Sequence, residues 1–561
     1  MMPIDFCSAG KVYNDWEVGK MKGFLRKGKK GIVFLLLAVL LCIALAGCGK
    51  QTGGKSKAAV KVNPDGFPIV DKTLKLKIVT MQTPVQKDFN DMVILKDYEK
   101  KSNIDVDWVC IPQEFVAERR NIMMASAEEL PDAFFKMQFP ATDISKYSKQ
   151  GLILPLSDLI DQYAPNVRAA FKKWPDVEKG LTMPDGKIYS LGYILGAPAI
   201  TSGPKLFFNS EALRKVNKEV PTTLDAFVDV LKAFKDLDYN ENGKADEVPL
   251  TCSDYGGLEG ILKGSFGLGT RGSAHGNVDV DPDTSELRFI PTSEGYKQLL
   301  QFMHMLYQEH LLDQEIFTMD MPKLIAKGEE GRALCYAFVN HSVIGTKYSE
   351  KSVGLEAPLK GPNGNLLWNN SGPALSGFGH FVITKKNPNP EATMRWEDYW
   401  YSDDGMREYF MGVKDKTYYV DDNGNYEYTD YVMKNPDGIM FEQVLGAYVP
   451  WAGGANPSIA GDKYFKGGEM QPITKASADK LYEYRPKTIW PGFVWEDKDT
   501  DDMASIATDL STYINENRAL FVTGKKSFDE WDDYVKGFDN MRLDHYMKVY
   551  KDAAKRYGFK G

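Results

Sequence analysis

Strand and helix patterns that alternate from residue 73 onward constrain the fold more than any other feature of the sequence. The segment 73–81 (TLKLKIVTM) alternates apolar and polar residues and then becomes wholly apolar, which is typical of a strand entering a buried sheet. Helical spacing follows at 86–102, a second strand pattern at 104–111, a helix pattern at 114–130 and a third apolar run at 132–137. This alternation predicts a mostly parallel α/β sheet with right-handed connections.

The length of the chain points to more than one domain. At 561 residues it exceeds what a single hydrophobic core holds. Strand and helix patterns recur through the chain and end in long amphipathic helices, the last of them over 527–557. This order predicts two α/β lobes with more than one crossing between them. We expect the N-terminal lobe to comprise 71–190 with part of 380–500, and the C-terminal lobe to comprise 191–375 with part of 420–561.

The first 70 residues carry the signals of export and lipid anchoring. A basic stretch at 21–30 precedes an apolar run at 31–47, which ends in Leu45-Ala46-Gly47-Cys48. Small residues directly before a cysteine match a bacterial lipobox, whereas the apolar run is short for the alternative, a membrane-spanning helix. We predict that 1–47 is a leader with a lipoprotein signal peptide and that Cys48 carries the lipid anchor, palmitate included. The segment 48–70 then tethers the protein to the extracellular face of the cell membrane.

Composition and motifs exclude several classes of function. A formal net charge of −8 gives no sign of a nucleic-acid partner. Three cysteines remain beside Cys48 and the leader (Cys110, Cys252 and Cys335), so no disulfide framework is predicted. No G-x-S-x-G, C-x-x-C or paired His motif occurs, and the G-x-G-x-x-G match at 267–272 follows no predicted strand. We therefore expect no enzyme, although the many acidic residues leave a glycosidase carboxylate pair open.

The acidic segment 236–250 (DLDYNENGKADEVPL) looks like half of an EF-hand calcium loop. Oxygen-bearing side chains recur at every second position from Asp238, and Gly243 stands where the loop turns sharply. Pro249 occupies the place of the closing bidentate Glu, and no helix pattern follows. The oxygen donors available to calcium are the side chains of Asp238, Asn240, Asn242, Asp246 and Glu247 and the backbone carbonyl of Lys244. Two interpretations remain: a structural calcium that joins a helix end to a strand, or a solvated turn.

Four longer phrases, in this order along the chain, resemble family 1 extracellular solute-binding proteins of bacterial ABC importers. They are ELPDAFF (129–135), EVPTTLDAFVDVLKAFKDLDYNENGKADEVPL (219–250), GFGHFVITKKNPNPEATMRWEDYWYSDDGMREYFMGVKD (377–415) and IATDLSTYINENRALFVTGKKSFDEWDDYVKGFDNMRLDHYMKVY (506–550). The resemblance implies a two-lobe periplasmic-binding-protein-like α/β fold of type II, with hinged lobes, a central cleft and extra C-terminal helices. It also implies a monomeric lipoprotein that binds an oligosaccharide, partners permease subunits and catalyses nothing. The similar alginate-binding receptors carry a structural calcium in a loop of this pattern. The resemblance therefore implies a calcium-binding role for the six donors named above.

Ligand-binding residues are expected just after predicted strands and in glycine-rich loops, because open α/β lobes bind ligands beyond the carboxyl ends of their strands. Aromatic faces and hydrogen-bonding side chains suit sugars, while packing in the core is the alternative for each of them. The candidates are Gln82, Gln138, Tyr193, Asp254, Tyr255, Trp368, Phe378, Trp451 and Trp490. Trp396, Trp400 and Trp531 lie in helical patterns and are expected in the core.

Two alternative functions stay open at this point. The same cleft and closure would serve a subunit that senses a ligand and presents its closed form to a membrane signalling partner. A surface enzyme that degrades polysaccharides would instead need a convergent acid and base in the cleft. The sequence does not separate transport from sensing.

Overall fold

The structure is a computed structural model and describes residues 60–244, 246–434, 441–452 and 454–560. The predictions for the leader 1–47, for Cys48 and for most of the tether fall outside these ranges. Within them, no helix is both long enough and apolar enough to cross a membrane.

Strands and helices alternate along the described ranges. The strands are β1 (Leu74–Gln82), β2 (Ile104–Pro112), β3 (Ala133–Phe135), β4 (Leu191–Leu195), β5 (Lys205–Asn209), β6 (Val248–Cys252), β7 (Val278–Val280), β8 (Leu287–Phe289), β9 (Ala333–Phe338), β10 (Ser352–Gly354), β11 (Leu375–Ile383), β12 (Tyr418–Val420), β13 (Tyr426–Tyr428) and β14 (Ile459–Ala460). The α-helices are α1 (Val93–Ser102), α2 (Val116–Ala125), α3 (Ala141–Lys149), α4 (Ser157–Tyr163), α5 (Pro165–Lys173), α6 (Pro175–Leu181), α7 (Pro198–Thr201), α8 (Ser210–Lys215), α9 (Leu224–Lys235), α10 (Tyr255–Lys263), α11 (Glu294–Gln308), α12 (Met321–Glu329), α13 (Thr346–Ser349), α14 (Pro390–Asp398), α15 (Asp403–Met411), α16 (Asp430–Met433), α17 (Phe441–Leu445), α18 (Pro472–Tyr482), α19 (Asp497–Thr523), α20 (Trp531–Gly537) and α21 (Leu543–Arg556). Short 3₁₀ helices span Phe89–Asp91, Gln113–Phe115, Gly264–Phe266, Ser273–His275, Ile290–Thr292, His341–Ile344, Tyr399–Tyr401, Gly468–Met470, Phe528–Glu530 and Phe538–Met541.

The first lobe is built on a six-stranded sheet in the order β14-β4-β11-β3-β1-β2. β1 pairs in parallel with β2 and β3, as the alternating sequence predicts. β11 instead runs antiparallel to both β3 and β4. The reason is connectivity: β4 leaves this lobe at its carboxyl end, and the chain returns at that same end to begin β11.

The second lobe contains a four-stranded sheet in the order β10-β5-β9-β6. β6 pairs in parallel with β9, whereas β5 is antiparallel to its neighbours β9 and β10. The chain crosses from the first sheet to the second between β4 and β5, and it returns between β10 and β11. A later crossing leads from β14 to α18, where Ser477 Oγ donates to the carbonyl of Leu355 at 2.6 Å. The two-lobe α/β architecture is confirmed, and the residue boundaries drawn from the sequence stay a prediction.

Apolar side chains of successive strand residues pack on opposite faces of the first sheet. In β1, Ile78 joins one core cluster and Val79 the other, while Lys75 and Lys77 are exposed. Trp396 and Trp400 are buried in the larger cluster of this lobe, and Trp531 is buried in the core of the second lobe. The core placement predicted for these three indoles is confirmed.

Local signals fixed several helix and turn positions. Thr223 Oγ1 caps α9 by accepting the amide N–H of Ala226 at 3.1 Å, as threonine commonly does at a helix start. β12 and β13 form a hairpin, with Gly424 at φ 83° in its turn. One prediction is wrong: the single helix expected over 527–557 is broken, because Arg542 adopts φ 56° before α21 begins.

Candidate functional site

A cavity of about 480 Å³ lies between the two lobes. β4 ends at its wall with Leu195, and Asn340 and Ser342 follow the carboxyl end of β9. Carboxyl ends of strands are where open α/β sheets collect ligands. The lining consists of Tyr193, Leu195, Ile200, Asn340, Ser342, Phe441, Glu442, Trp451, Gly454, Asn456, Phe465, Gly467, Gly468, Glu469 and Gln471.

Aromatic side chains form one wall of the cavity. Trp451 follows α17 and packs edge-on against Phe465, with ring centroids 5.5 Å apart. Trp451 is 6% exposed, and its Nε1 is buried on the side of the indole that faces the protein. Burial also raises the pKa of Tyr193, so its hydroxyl stays protonated.

A buried lysine side chain holds the loop that carries Trp451. Lys136, fully buried after β3 and held at φ 60°, donates to the carbonyl of Pro450 at 2.6 Å and to Asn456 Oδ1 at 2.8 Å. Asn456 Nδ2 in turn donates to the carbonyl of Trp451 at 3.2 Å. Gln86 Nε2, from the loop after β1, also donates to the Pro450 carbonyl, at 2.7 Å. Burial holds the pKa of Lys136 well below its usual value. Both ends of the 450–456 loop are therefore tied to the ends of β1 and β3.

Polar groups of the second lobe line another part of the cavity. Asn340 and Ser342 lie beside His341, whose backbone N–H donates to Thr474 Oγ1 of α18 at 3.0 Å. Ser342 Oγ donates to Asn340 Oδ1 at 2.8 Å. Amide and hydroxyl groups of this kind both donate and accept hydrogen bonds, as ligand hydroxyl groups require.

Two half-buried carboxyl groups, Glu442 and Glu469, face the same cavity from different segments. Burial raises the pKa of Glu442, and the neighbouring Glu469 raises it further. No Lys, Arg or His side chain belongs to the described lining. The cavity wall is therefore acidic.

Five of the nine residues predicted to bind ligand lie at this edge of the first lobe. Tyr193 and Trp451 line the cavity. Gln82 ends β1 and donates to the carbonyl of Gln86 at 3.2 Å, and Gln138 Nε2 lies 3.3 Å from Met81 Sδ. Phe378 stands on β11 between Gly377 and Gly379, whose φ values of 86° and 61° accompany a break in the strand register. Gln82, Gln138 and Phe378 do not belong to the cavity lining.

The other four lie within the second lobe. Asp254 caps α10, where its Oδ2 accepts the N–H of Gly257 at 2.7 Å. Tyr255 is buried and stacks on Phe317, with centroids 4.9 Å apart. Trp368 is fully buried in the core. Trp490 is also buried and contacts His275 at 5.6 Å between ring centroids. In the structure these four side chains cap, pack or stack and do not line the cavity.

Sequence reasoning missed most of the polar lining, namely Asn340, Ser342, Glu442, Asn456, Glu469 and Gln471. The two criteria used for ligand-binding candidates, a position just after a strand and a position in a glycine-rich loop, could have found two members of this set. Asn340 follows the apolar run of β9, and Glu469 follows the Gly467-Gly468 pair. Glu442 and Asn456 carry no local signal, since only the tertiary fold brings them to the cavity.

The acidic loop closes on itself between α9 and β6. Asp238 accepts the backbone N–H groups of Asn242 at 3.1 Å and Gly243 at 2.9 Å. Glu247 Oε1 accepts the N–H of Tyr239 at 2.6 Å and that of Asn240 at 3.1 Å. The loop leads directly into β6, so the expectation that no second EF-hand helix follows is confirmed.

One atom of this loop lacks a partner. Glu247 is 7% exposed, and its Oε2 is buried with no hydrogen-bond partner among the described residues. Such an oxygen fits a bound cation. Across the described ranges, no three His, Cys, Asp or Glu side chains are placed to hold a metal ion together. Three of the six predicted calcium donors are not side chains of these four types: Asn240 and Asn242 offer amide oxygens, and Lys244 offers a backbone carbonyl.

Comparisons with known proteins give the chain its relatives. The family model described as bacterial extracellular solute-binding protein matches residues 94–417. The fructooligosaccharide ABC transporter substrate-binding protein FusA of Streptococcus pneumoniae serotype 4 is 29% identical over 539 residues, which cover 93% of this chain and 97% of FusA. The polygalacturonan/rhamnogalacturonan-binding protein YtcQ of Bacillus subtilis is 26% identical over 66% of this chain and 69% of YtcQ.

Solved structures agree on the fold. S. pneumoniae FusA in complex with kestose has a TM-score of 0.69 and 26% identity, covering 86% of this chain and 99% of that one. An EF-hand mutant of FusA in complex with fructo-nystose has a TM-score of 0.67 at the same identity and coverage. The alginate-binding protein AlgQ2, solved without calcium ion, has a TM-score of 0.65, 24% identity and coverage of 86% and 98%.

Proposed function

This chain belongs to the family of bacterial extracellular solute-binding proteins, and on that premise we propose that it captures an oligosaccharide outside the cell and delivers it to the permease of an ABC importer. FusA, which this chain matches over nearly its whole length, is by name an ABC transporter substrate-binding protein for fructooligosaccharides. Its solved complex contains kestose. Family and relatives are binding proteins rather than enzymes, and we propose that this chain likewise releases its ligand unaltered, as a monomer.

The cavity between the lobes is the observation that carries this proposal. Trp451 and Tyr193 offer aromatic faces, against which the C–H surfaces of a sugar ring pack. Asn340, Ser342 and Gln471 offer hydrogen-bonding groups for its hydroxyls. The lining combines aromatic and aliphatic side chains with convergent polar groups, and both kinds of group occur in small-ligand sites.

Because the cavity is lined by residues of both lobes, a bound ligand can favour closure of the lobes, and a permease can recognise the closed form. Trp451 comes from a loop tied to the first sheet, and Asn340 and Ser342 follow a strand of the second. A ligand that contacts both sets gains more interactions in a closed form than in an open one, so it shifts the lobes toward closure. The permease would then distinguish loaded from empty protein by shape.

Isothermal titration calorimetry against a panel of oligosaccharides tests the proposal. We expect Trp451→Ala to weaken binding at least tenfold while the protein stays folded by circular dichroism. Tyr419→Ala is the matched control, because Tyr419 is 43% exposed on β12 and lies outside the cavity. Wild-type protein that binds no oligosaccharide, or equal affinities for both variants, would refute the assignment. Mass spectrometry of the recovered ligand should show an unchanged mass, and new reducing ends would identify an enzyme instead.

We also propose that Cys48 carries the lipid anchor on the extracellular face of the membrane. The basic stretch, the apolar run and the Leu-Ala-Gly-Cys sequence support this proposal. Palmitate labelling in the native host should mark the wild-type protein and should be lost in Cys48→Ser. An unlabelled wild type would remove the basis for this anchor.

For the acidic loop we propose a structural calcium. Side chains of Asp238, Asn240, Asn242, Asp246 and Glu247 and the carbonyl of Lys244 would hold it, and hard oxygen ligands of this kind suit calcium. The partnerless Glu247 Oε2 supports the site, as does the EF-hand named for FusA. Bound calcium would supply positive charge that joins the end of α9 to the start of β6.

A further inference from the structure

We propose that Glu442 and Glu469 make this cleft select uncharged, hydroxyl-rich oligosaccharides and reject oligosaccharides of uronic acids. The inference deepens the proposed function and rests on it. Its basis is the charge of the lining, which contains two carboxyl groups and, within the described residues, no cationic side chain.

Neither carboxyl group forms an ion pair with a described residue. No Lys or Arg nitrogen of the described residues lies within ion-pair distance of either, although many other acids of the chain are paired. Lys466, close by in sequence, is engaged with Glu427 at 3.4 Å. Lys463 is engaged with Asp403 at 2.9 Å. The two lysines that precede Glu469 are therefore engaged with other carboxylates.

Two buried lysines lie behind the wall and do not present a charge to a ligand. Lys136 Nζ is fully buried against Pro450 and Asn456, as described above. Lys205 is fully buried too, and its Nζ donates to the carbonyls of Ser202 at 3.3 Å and Gly203 at 2.9 Å. Burial lowers the pKa of Lys205 to about 7, against the opposing influence of Glu469. Both Nζ atoms donate to protein oxygens.

The acidic wall has opposite consequences for two classes of sugar. A neutral oligosaccharide presents O–H donors, and a carboxylate is the strongest acceptor for them, since hydrogen bonds to charged groups are shorter and stronger than neutral ones. An oligosaccharide of uronic acids brings one carboxylate per ring into the same confined space. Like charges in a partly desolvated cavity repel one another strongly, and the described lining offers no Arg or Lys to accept the uronate.

Calorimetry with three trisaccharide probes tests the inference: kestose, trigalacturonate and the methyl ester of trigalacturonate. The ester has the same backbone as trigalacturonate without its charge. We expect wild-type protein to bind kestose at least a hundredfold more tightly than trigalacturonate. Esterification alone should recover at least tenfold in affinity over the acid. This ligand-side comparison needs no variant and holds even if a variant fails to fold.

Charge-neutral variants assign the effect to the two residues. In the double variant Glu442→Gln/Glu469→Gln, we expect weaker kestose binding. We also expect the ratio of the affinity for the methyl ester to the affinity for trigalacturonate to fall at least tenfold. Glu483→Gln is the matched control, because Glu483 is exposed outside the cavity. Trigalacturonate binding as tight as that of its ester, or a preference unchanged in the double variant, would overturn the inference while leaving oligosaccharide capture intact. If the wild-type protein bound none of the oligosaccharides tested, the proposed function itself would be refuted.

Discussion

Removing one charge from the acidic loop should abolish its stabilisation by calcium without damaging the calcium-free fold. In Glu247→Gln, the amide oxygen can still accept the two backbone N–H groups that Glu247 Oε1 accepts at 2.6 and 3.1 Å. The partnerless Oε2 becomes an NH₂ group. The substitution therefore keeps the shape and the hydrogen bonds of the loop and removes one calcium-binding carboxylate.

The magnitude follows from linkage. At a free calcium concentration a hundredfold above Kd, binding to the folded state alone raises the free energy of unfolding by about 2.7 kcal/mol. A lobe of 150–250 residues gains about 2–4 °C in Tm per kcal/mol. We therefore expect calcium to raise the Tm of the second lobe by about 5–10 °C in the wild type, and by less than about 2 °C in Glu247→Gln.

Differential scanning calorimetry with calcium and with excess EDTA measures this effect, and magnesium serves as an ion control. Glu241→Gln is the matched variant, because the Glu241 side chain is 79% exposed, lies 3.2 Å from Lys215 Nζ and is absent from the predicted donor set. It should retain the full calcium shift. Equal Tm values with calcium and EDTA in the wild type, or an undiminished shift in Glu247→Gln, would refute the reasoning.

Three further expectations concern the cleft, a buried histidine and the calcium loop. Lys136→Met should weaken oligosaccharide binding about tenfold, because it releases the loop that carries Trp451. Calorimetry on this variant, on Trp451→Ala and on the double variant measures whether the two losses of binding free energy add. We expect them not to add, and additive losses would contradict a positioning role for Lys136. Burial lowers the pKa of His275 to about 4, so the folded protein keeps it neutral while the unfolded chain, with a pKa near 6.5, binds a proton. The free energy of unfolding should therefore fall by up to about 3 kcal/mol as pH drops from about 6.5 to about 4. Urea titrations at several pH values measure this free energy, and in His275→Gln it should depend less steeply on pH. EDTA should leave the oligosaccharide Kd unchanged well below Tm, and a parallel loss of affinity would show that the calcium loop and the cleft are coupled.

The parts of the fold that the sequence predicted are those in which local patterning and burial agree. β1 alternates because Leu74, Leu76 and Ile78 face one core while Lys75 and Lys77 face solvent. α9 begins where Thr223 can cap it. The antiparallel direction of β11 lacked such a signal, because strand direction depends on where the chain re-enters the sheet.

The candidate ligand site was harder to predict because similar local surroundings lead to different tertiary positions. Trp451 and Trp490 both stand in loops beside Gly or Pro. Trp451 lines the cavity between the lobes, whereas Trp490 packs against His275 and Phe493 in the second lobe. Nothing within a few residues of either indole distinguishes the two outcomes.

The two candidate sites differ in predictability because one is contiguous and the other is assembled by the fold. The calcium loop adjoins the start of β6, and Val248 at that start donates its N–H to the carbonyl of Arg332, just before β9. The cleft residues Asn340 and Ser342 follow the far end of β9. At about 3.3 Å per residue, a six-residue strand separates the two sites by roughly 20 Å. A cation held at the start of β6 would therefore lie too far from the cleft to contact the ligand, which is why we expect EDTA to leave the oligosaccharide Kd unchanged.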